Sequence, residues 1–414
     1  MLLKNDKKIV IGYDLDNTCS QISYCYKKEE SDVETVGFLE GEENYDIPTV
    51  LCKKIGANQW LFGHAALKFN EQYPEEGILV DNLLELALEG EILQIDGKGY
   101  HPAALLALFV KRSLATVLKG GSMDKIAMIL FTCQETDRRM SGLIQRIGKT
   151  LEIKNAEILC QNYEESFFAY LTCQQKDMCQ RGALLLDYRG KDMVVVELNC
   201  NLNTIPPIMY SEQKRYAFDG TDKGLLEIVT NSCQGKTFGV VYLIGQKFNG
   251  SWMDESLKYL CMGRRVFQGN NLYSKGACYG ALQTLGIRPQ EEYMFLGPDR
   301  LKANIGMKLQ KRGEPVYNAL LDAGMYWESI EEIFEFYLKG ENNLELSVAS
   351  LIKGVTKSVY LELEGLELER DQVTRVRMKL TMPSENVLAI TVTDLGFGEF
   401  REAADRKWVK EVEL

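Results

Sequence analysis

Two short turns hold the residues whose types and spacing could do chemistry. The first, Asp14-Leu-Asp-Asn-Thr18, directly follows an apolar run and sets two carboxylates and a hydroxyl within five residues. Oxygen groups of that kind suit a hard divalent cation, and a solvated turn after a buried strand is built from the same residue types. The second, Asp187-Tyr-Arg-Gly-Lys-Asp192, follows another apolar run. Its Arg189 and Lys191 could offer positive charge, although exposed turn cations are the commoner origin of such residues. Other chemistries are nearly excluded. His64 and His101 are the only histidines, which argues against a histidine-rich zinc site and a Ser-His-Asp triad. The eleven cysteines are odd in number and form no Cys-x-x-Cys pair, Cys173 and Cys179, like Cys19 and Cys25, being the closest at six residues apart, so they read as reduced thiols. Tyr163, Phe167, Phe168 and Tyr170 form an aromatic helix face suited to core packing. His64 reads as a hydrogen-bonded structural histidine, and Met262-Gly-Arg-Arg265 as a solvated loop end.

Those turns must be positioned by strands and helices, and these alternate in a repeated order. Lys8–Tyr13 reads as a buried strand, with Gln21–Tyr26 and Val33–Phe38 completing a meander. Strand-like pieces at Ile47–Ile55 and Gln59–Phe62 and a short helix at Gly63–Asn70 follow. Pro102–Lys119, Lys125–Thr132, Glu135–Thr150, Ala156–Gln161 and Tyr163–Gln174 then alternate helix, strand, helix, strand, helix. The order recurs with strands over Gly182–Asp187, Asp192–Leu198 and Asn203–Met209 and a helix near Gly220–Ser232. A strand over Phe238–Gly245 and helices from Gly250 to about Leu260 and from Ser274 to Gly286 complete it. A meander followed by β-α units, occurring twice, predicts a duplicated architecture. After Pro289 short alternating strands such as Ile305–Lys311, Thr374–Thr381 and Val387–Val392 predict a half-exposed antiparallel sandwich.

Composition sets the outer bounds. A chain of 414 residues suggests two or three domains. The net charge of −11 excludes a broad phosphate-neutralising surface, so neither nucleic acid nor an anionic membrane is expected as a partner. No apolar run approaches the ~20 residues of a membrane span. The opening Met1–Lys8 has no apolar stretch, and the expectation is a cytoplasmic protein.

The Asp14–Thr18 turn resembles motifs of two families. As an Asp-x-Asp-x-Thr loop it is similar to that of haloacid-dehalogenase-type phosphatases, which implies Asp14 as nucleophile, Asp16 as general acid and a bound Mg²⁺. That fold needs a helix after the loop, where Gln21–Phe38 reads as strands. Ile11-Gly-Tyr-Asp-Leu-Asp-Asn-Thr18 also resembles the first phosphate loop of the actin-like ATPase superfamily, closest to the seventy-kilodalton heat-shock chaperones. This second resemblance continues in order along the chain. It takes in Ile47-Pro-Thr-Val50, Trp60-Leu-Phe-Gly-His-Ala-Ala66, Ala169-Tyr170, Leu184-Leu-Leu-Asp187, Val241-Tyr-Leu-Ile-Gly245 and Lys275-Gly-Ala-Cys-Tyr-Gly-Ala281. Its C-terminal part resembles the chaperones' peptide-binding β-sandwich, most clearly at Asn386-Val-Leu-Ala-Ile-Thr-Val-Thr-Asp394.

The chaperone resemblance implies a duplicated actin-like (ribonuclease-H-like) α/β domain and then an antiparallel β-sandwich. Lobe I would span residues 1–180, lobe II 181–290 with its helical clamp reduced or missing, and the sandwich 291–414. It further implies ATP or ADP with Mg²⁺ as the ligand. Asp14, Asp16, Asn17, Thr18, Asp187, Gly190, Gly245 and Gly276 would line the nucleotide, with Asp14 and Asp187 holding the metal through water. The working positions depart from that pattern. Asp16 replaces a glycine, and a carboxylate ~4 Å from a phosphate charge costs roughly 4 kcal/mol at an effective dielectric of about 20. Leu67 replaces the catalytic lysine, with Lys68 turned ~100° away on the helix, and Asn162 replaces the catalytic glutamate. Arg189 and Lys191 replace glycines, bulky Tyr188 and Arg189 argue against close backbone approach to a phosphate, and Gly245-Gln246 stands where the family has a glycine pair. No interdomain linker is recognisable at Tyr293–Pro298, and only Arg401–Leu414 remain for a lid. The expectation is a weak or inactive ATPase, possessing a cofactor only if the cleft still admits one, that binds a peptide or protein partner through its sandwich. An Mg²⁺-dependent phosphatase using Asp14 and Asp16, and an active ATPase rewired through Asp16, Asp192 or Lys68, are the alternatives.

Overall fold

The computed structural model of the chain describes residues 8–26, 32–37, 44–153, 156–174, 180–288, 293–340, 342–403 and 406–414. Phe38, Cys179 and Pro289 lie outside them. The chain divides into two units, Met1–Leu198 with Gln213–Glu291, and Asn199–Glu212 with Glu292–Leu414. The change of unit near residue 291 falls where the strand grammar changes. The tip of the hairpin formed by Met193–Asn201 and Ile208–Tyr216 counts with the second unit, an excursion that the sequence reading lacks.

The first unit contains one architecture twice. Across its first sheet the order is Glu157–Asn162, Ile126–Cys133, Ile9–Asp14, Cys19–Tyr26, Glu34–Thr35. Ile9–Asp14 runs parallel to Ile126–Cys133 and antiparallel to Cys19–Tyr26. Across the second sheet the order is Arg265–Gln268, Val240–Ile244, Ala183–Asp187, Met193–Asn201, Ile208–Tyr216, Met294–Leu296. Ala183–Asp187 likewise runs parallel to Val240–Ile244 and antiparallel to Met193–Asn201. The central strands Ile9–Asp14, Ile126–Cys133 and Ala183–Asp187 are buried at every position, so they read as continuous apolar runs rather than alternating ones. Because Cys19–Tyr26 returns antiparallel from the Asp14 turn, the helix that the phosphatase alternative requires there is a strand instead.

Helices cover these sheets. Arg138–Leu151 places Met140, Leu143, Ile144, Ile147 and Leu151 on its buried stripe, and Asp137 caps it by accepting the Met140 N–H at 2.7 Å. Between its third and fourth core strands the first repeat inserts the small sheet Leu51–Lys54, Trp60–Phe62 and Gly77–Val80, the helices Gly63–Gln72 and Leu83–Glu89, and the hairpin Leu93–Ile95/Lys98–Tyr100. The second repeat has one helix there among the described residues, Asp222–Cys233. The helix Leu272–Thr284 comes from the second repeat yet packs Ala277, Cys278 and Ala281 against Val10, Met128 and Leu130 of the first sheet. It also crosses the helix Tyr163–Thr172 so closely that a Cβ on Gly276 would lie 1.9 Å from the Ser166 carbonyl oxygen. Among the described residues no helix is long and apolar enough to cross a membrane.

The second unit is built of two four-stranded antiparallel sheets. One is ordered Glu314–Leu321, Ala303–Lys311, Asn343–Ser350, Val355–Glu362, and the other Glu331–Lys339, Val373–Ser384, Val387–Gly396, Lys407–Glu413. Val387–Gly396 alternates strictly between buried and half-buried residues, which is the period-2 signature of a strand with one face on a core. Ile305, Leu346 and Leu361 of the first sheet share that core with Met378, Ile390 and Val412 of the second.

Candidate functional site

The first strand of each repeat ends in an aspartate, and one arginine bridges the two; Asp187 lines a cleft, whereas Asp14 is buried. Asp14 closes Ile9–Asp14 and is 1% exposed; Asp187 closes Ala183–Asp187 and is buried. The turn after Asp187 is shaped by its own carboxylate, whose Oδ1 accepts the Arg189 backbone N–H at 3.0 Å. That turn throws the Arg189 side chain back between the aspartates. Its Nε donates to Asp187 Oδ1 and Oδ2 at 3.1 Å each, its Nη2 lies 3.0 Å from Asp187 Oδ2, and its Nη1 donates to Asp14 Oδ2 at 3.0 Å.

Two tyrosines complete the cluster. Tyr163, first residue of the helix Tyr163–Thr172, donates its hydroxyl to Asp14 Oδ1 at 2.9 Å, and Tyr273 donates to Asp187 Oδ2 at 3.3 Å. Their rings stack with centroids 4.1 Å apart, and the Arg189 guanidinium carbon lies 4.7 Å from both centroids. All four carboxylate oxygens therefore accept protein hydrogen bonds. Burial pushes the Asp14 carboxyl up to about 7; Arg189 opposes the shift, Asp16 adds to it, and the Tyr163 hydrogen bond opposes it. Burial also lifts the Tyr163 and Tyr273 hydroxyls well above the usual phenol range, so both remain donors. Burial disfavours the Arg189 charge, but Asp187, Tyr163 and Asp14 outweigh it and hold the guanidinium protonated. Arg189 is thus a cleft residue, and the exposed-turn origin is corrected: the Asp187 carboxylate folds the turn inward.

The other sequence-derived candidates separate into three groups. Asp16, Thr18, Asp187, Gly190 and Gly245 line the cleft, of about 410 Å³, together with Lys191, Asp192, Arg215 and Lys247. Within it Asp16 caps its own turn, its Oδ1 accepting the Thr18 N–H at 2.9 Å. Gly190 accepts the Lys247 ammonium at 2.5 Å through its carbonyl. Gly245, at φ +112°, is required by close approach: a Cβ there would sit 2.7 Å from the Tyr188 carbonyl carbon and oxygen. Asn17 and Gly276 belong to packing instead. Asn17 donates to Asn82 at 2.9 Å and accepts the Glu85 N–H at 3.2 Å, tying the turn to the helix Leu83–Glu89, while Gly276 sits at the helix crossing described above. Asn162 and Lys68 serve neither role. Asn162 forms a capping box with Glu165 at the start of Tyr163–Thr172, Lys68 is exposed, and His64 is held by the Asp46 carbonyl at 2.9 Å.

Sequence reasoning missed the partners that bridge the two repeats across the cleft. Gln21 donates to the Asn270 carbonyl at 2.6 Å, and Gln246 to Asp46 at 2.7 Å. Tyr163 and Tyr273 were concealed because a tyrosine on an apolar helix face is indistinguishable from core until its hydroxyl partner is known. One signal was available: bulky Tyr188 and Arg189 directly after Asp187 mark a turn that supplies its own side chain to the cleft.

An Mg²⁺ held through water needs carboxylate oxygens free to accept from that water. Asp14 and Asp187 do not offer them, since a guanidinium already occupies the interval between the two carboxylates. Among the described residues, no group of three or more His, Cys, Asp or Glu side chains is gathered as for a metal ion. The residues present do not fit the metal that the sequence resemblance implies.

Residues 32–298 match the family described as "Family of unknown function (DUF5716) C-terminal". The chain belongs to that family. Within this DUF5716 chain the match takes in Tyr163, Asp187, Arg189 and Tyr273, while the Asp14–Thr18 turn precedes its first residue. Residues 300–414, the sandwich, match a second, described as "Domain of unknown function (DUF8552)". No curated protein matches the chain. The junction of the two matches lies within ten residues of the change of unit seen in the fold.

Proposed function

We propose that the first unit is an actin-like duplicated domain that no longer works as an ATPase, and that the protein is a heat-shock-chaperone-like module binding a peptide or protein partner through its sandwich. The single observation carrying the loss of ATPase work is the Arg189 guanidinium between Asp14 and Asp187. A nucleotide phosphate would meet two carboxylates there, and a metal ion to screen them would first have to displace a cation bonded to both. The actin-like assignment is supported by the two sheets of matching strand order and direction, each delivering an aspartate at the end of its first strand.

The partner-binding part is supported by an aromatic patch on the sandwich. Phe400 is 90% exposed, beside Phe397 and Tyr337, with ring centroids 6.0 and 5.8 Å apart along the row. The loop that presents Phe397 and Phe400 is anchored at its base by buried Asp394, which accepts from Thr374 at 2.5 Å, from the Gly396 N–H at 3.1 Å and from Arg401 at 3.3 Å. Exposed aromatics that become the desolvated centre of an interface are among the groups that most often dominate binding energy.

Calorimetric titration of the full chain with ATP and Mg²⁺ tests the reading. The expected result is no saturable binding, and phosphate release equal to that of Asp14→Ala. Micromolar binding with turnover well above Asp14→Ala overturns it.

A further inference from the structure

We infer that Arg189 is a tethered counter-ion: the cation needed between the two strand-end aspartates Asp14 and Asp187 is supplied by the chain itself, and divalent-cation affinity at this position is masked rather than lost. This deepens the reading of an inactive cleft and rests on it. The geometry is that of a cation site already satisfied. Asp14 and Asp187 come from different repeats, each at the end of a buried strand, and both place Oδ2 3.0 Å from one guanidinium. Asp14 is 1% exposed, so its charge is not solvated from outside. Two buried carboxylates brought this close repel each other unless a cation lies between them or one takes up a proton.

Being covalent, this cation cannot be removed by a chelator or exchanged with solvent. Its bond to Asp14 joins residue 189 to residue 14 directly, and the Gln21–Asn270 and Gln246–Asp46 bonds span the same cleft. Closure of the two repeats is therefore constitutive. In an enzyme that exchanges metal and nucleotide at such a position, closure follows ligand state; here the ligand is a side chain. Replacing Arg189 by an uncharged residue removes the cation and leaves its oxygens in place, with the Tyr163 and Tyr273 hydroxyls beside them.

Terbium luminescence sensitised by those tyrosines reads the site directly. The full chain, Arg189→Gln, Arg189→Lys and the double variant Arg189→Gln/Asp14→Asn are titrated with Tb³⁺ at neutral pH, and melting temperatures are recorded with EDTA or Mn²⁺. Arg189→Gln is expected to bind Tb³⁺ at least about tenfold more tightly than the wild type, and to lose that gain in the double variant. Arg189→Lys is expected to fall between, since one ammonium cannot span both carboxylates as a guanidinium fork does. Mn²⁺ should raise the melting temperature of Arg189→Gln, while EDTA leaves that of the wild type unchanged. A folded Arg189→Gln that binds no more tightly than the wild type overturns the inference. Should that variant not fold, Arg189→Lys against the wild type decides in the same way. ATP binding by the wild type would sink the inactive-cleft reading whatever terbium shows; a failed terbium order without ATP binding sinks this inference alone.

Discussion

Asp14 shows how one residue can be kept in a place that suits it poorly. Its carboxyl loses water on folding, and the neighbouring Arg189 and Tyr163 only partly compensate, so its proton is held up to about 7 against an ordinary 3.8. Between roughly pH 4 and 7 the folded chain then keeps a proton that the unfolded chain has released. Stability from this residue is complete below pH 4 and declines as pH rises through 7, by on the order of 4 kcal/mol for a three-unit difference. Asp14→Asn cannot titrate. Urea unfolding of both proteins from pH 4.5 to 7.5 should show the variant gaining on the wild type as pH rises; parallel profiles would exclude this role for Asp14. The sequence displayed Asp14 and Asp187 plainly, because an acidic residue closing an apolar run stands out. It did not display their state, which depends on a third residue 175 positions from Asp14 and on two tyrosine hydroxyls.

Among the elements, those that periodicity can define were the ones legible in the sequence. The runs at Lys8–Tyr13, Lys125–Thr132 and Gly182–Asp187 and the sandwich strands match observed strands to within one or two residues at most ends. The missed elements are short or lack a clean pattern: Gly77–Val80, Leu83–Glu89, Arg265–Gln268, and the exposed edge strands Glu314–Leu321 and Lys407–Glu413. Glu314–Leu321 is exposed at its first six positions, so no alternation marks it. Helix contacts leave a different signature, small residues, whose purpose appears only in three dimensions. Gly276 lets the helix Leu272–Thr284 meet Ser166 backbone to backbone, whereas a Cβ on Gly142 of Arg138–Leu151 would meet nothing within 4 Å. The same substitution should therefore act with opposite sign. Gly276→Ala is expected to cost about 3 kcal/mol, lowering the melting temperature by roughly 6–12 °C. Gly142→Ala is expected to stabilise by about 0.5–1 kcal/mol through helix propensity alone. Scanning calorimetry of the two variants checks this, and equal shifts would contradict the close crossing.

At the scale of the whole molecule the question is whether the sandwich holds itself together. The change near residue 291 was readable because strand grammar changes there, but the excursion Asn199–Glu212 was not, since Asn203–Met209 reads as the third strand of the repeat whereas the strand lies at Ile208–Tyr216. A fragment of residues 293–414 cuts that excursion away. It loses the pairing of Ile208–Tyr210 with Met294–Leu296 and the 2.8 Å hydrogen bond from Asn201 to the Leu351 carbonyl. Against this, every buried residue of the sandwich core falls between Leu301 and Val412, so the core remains whole. At about 120 residues the fragment is well above the size at which one hydrophobic core ceases to suffice. The lost hydrogen bond is worth about 1 kcal/mol, and Met294–Leu296 is a three-residue strand whose one buried side chain, Leu296, lies outside the sandwich core. The fragment is therefore expected to unfold in urea as a single cooperative transition, with a circular dichroism spectrum dominated by strand. A broad, non-cooperative transition would mean that residues 199–212 are part of the fold rather than an attachment to it.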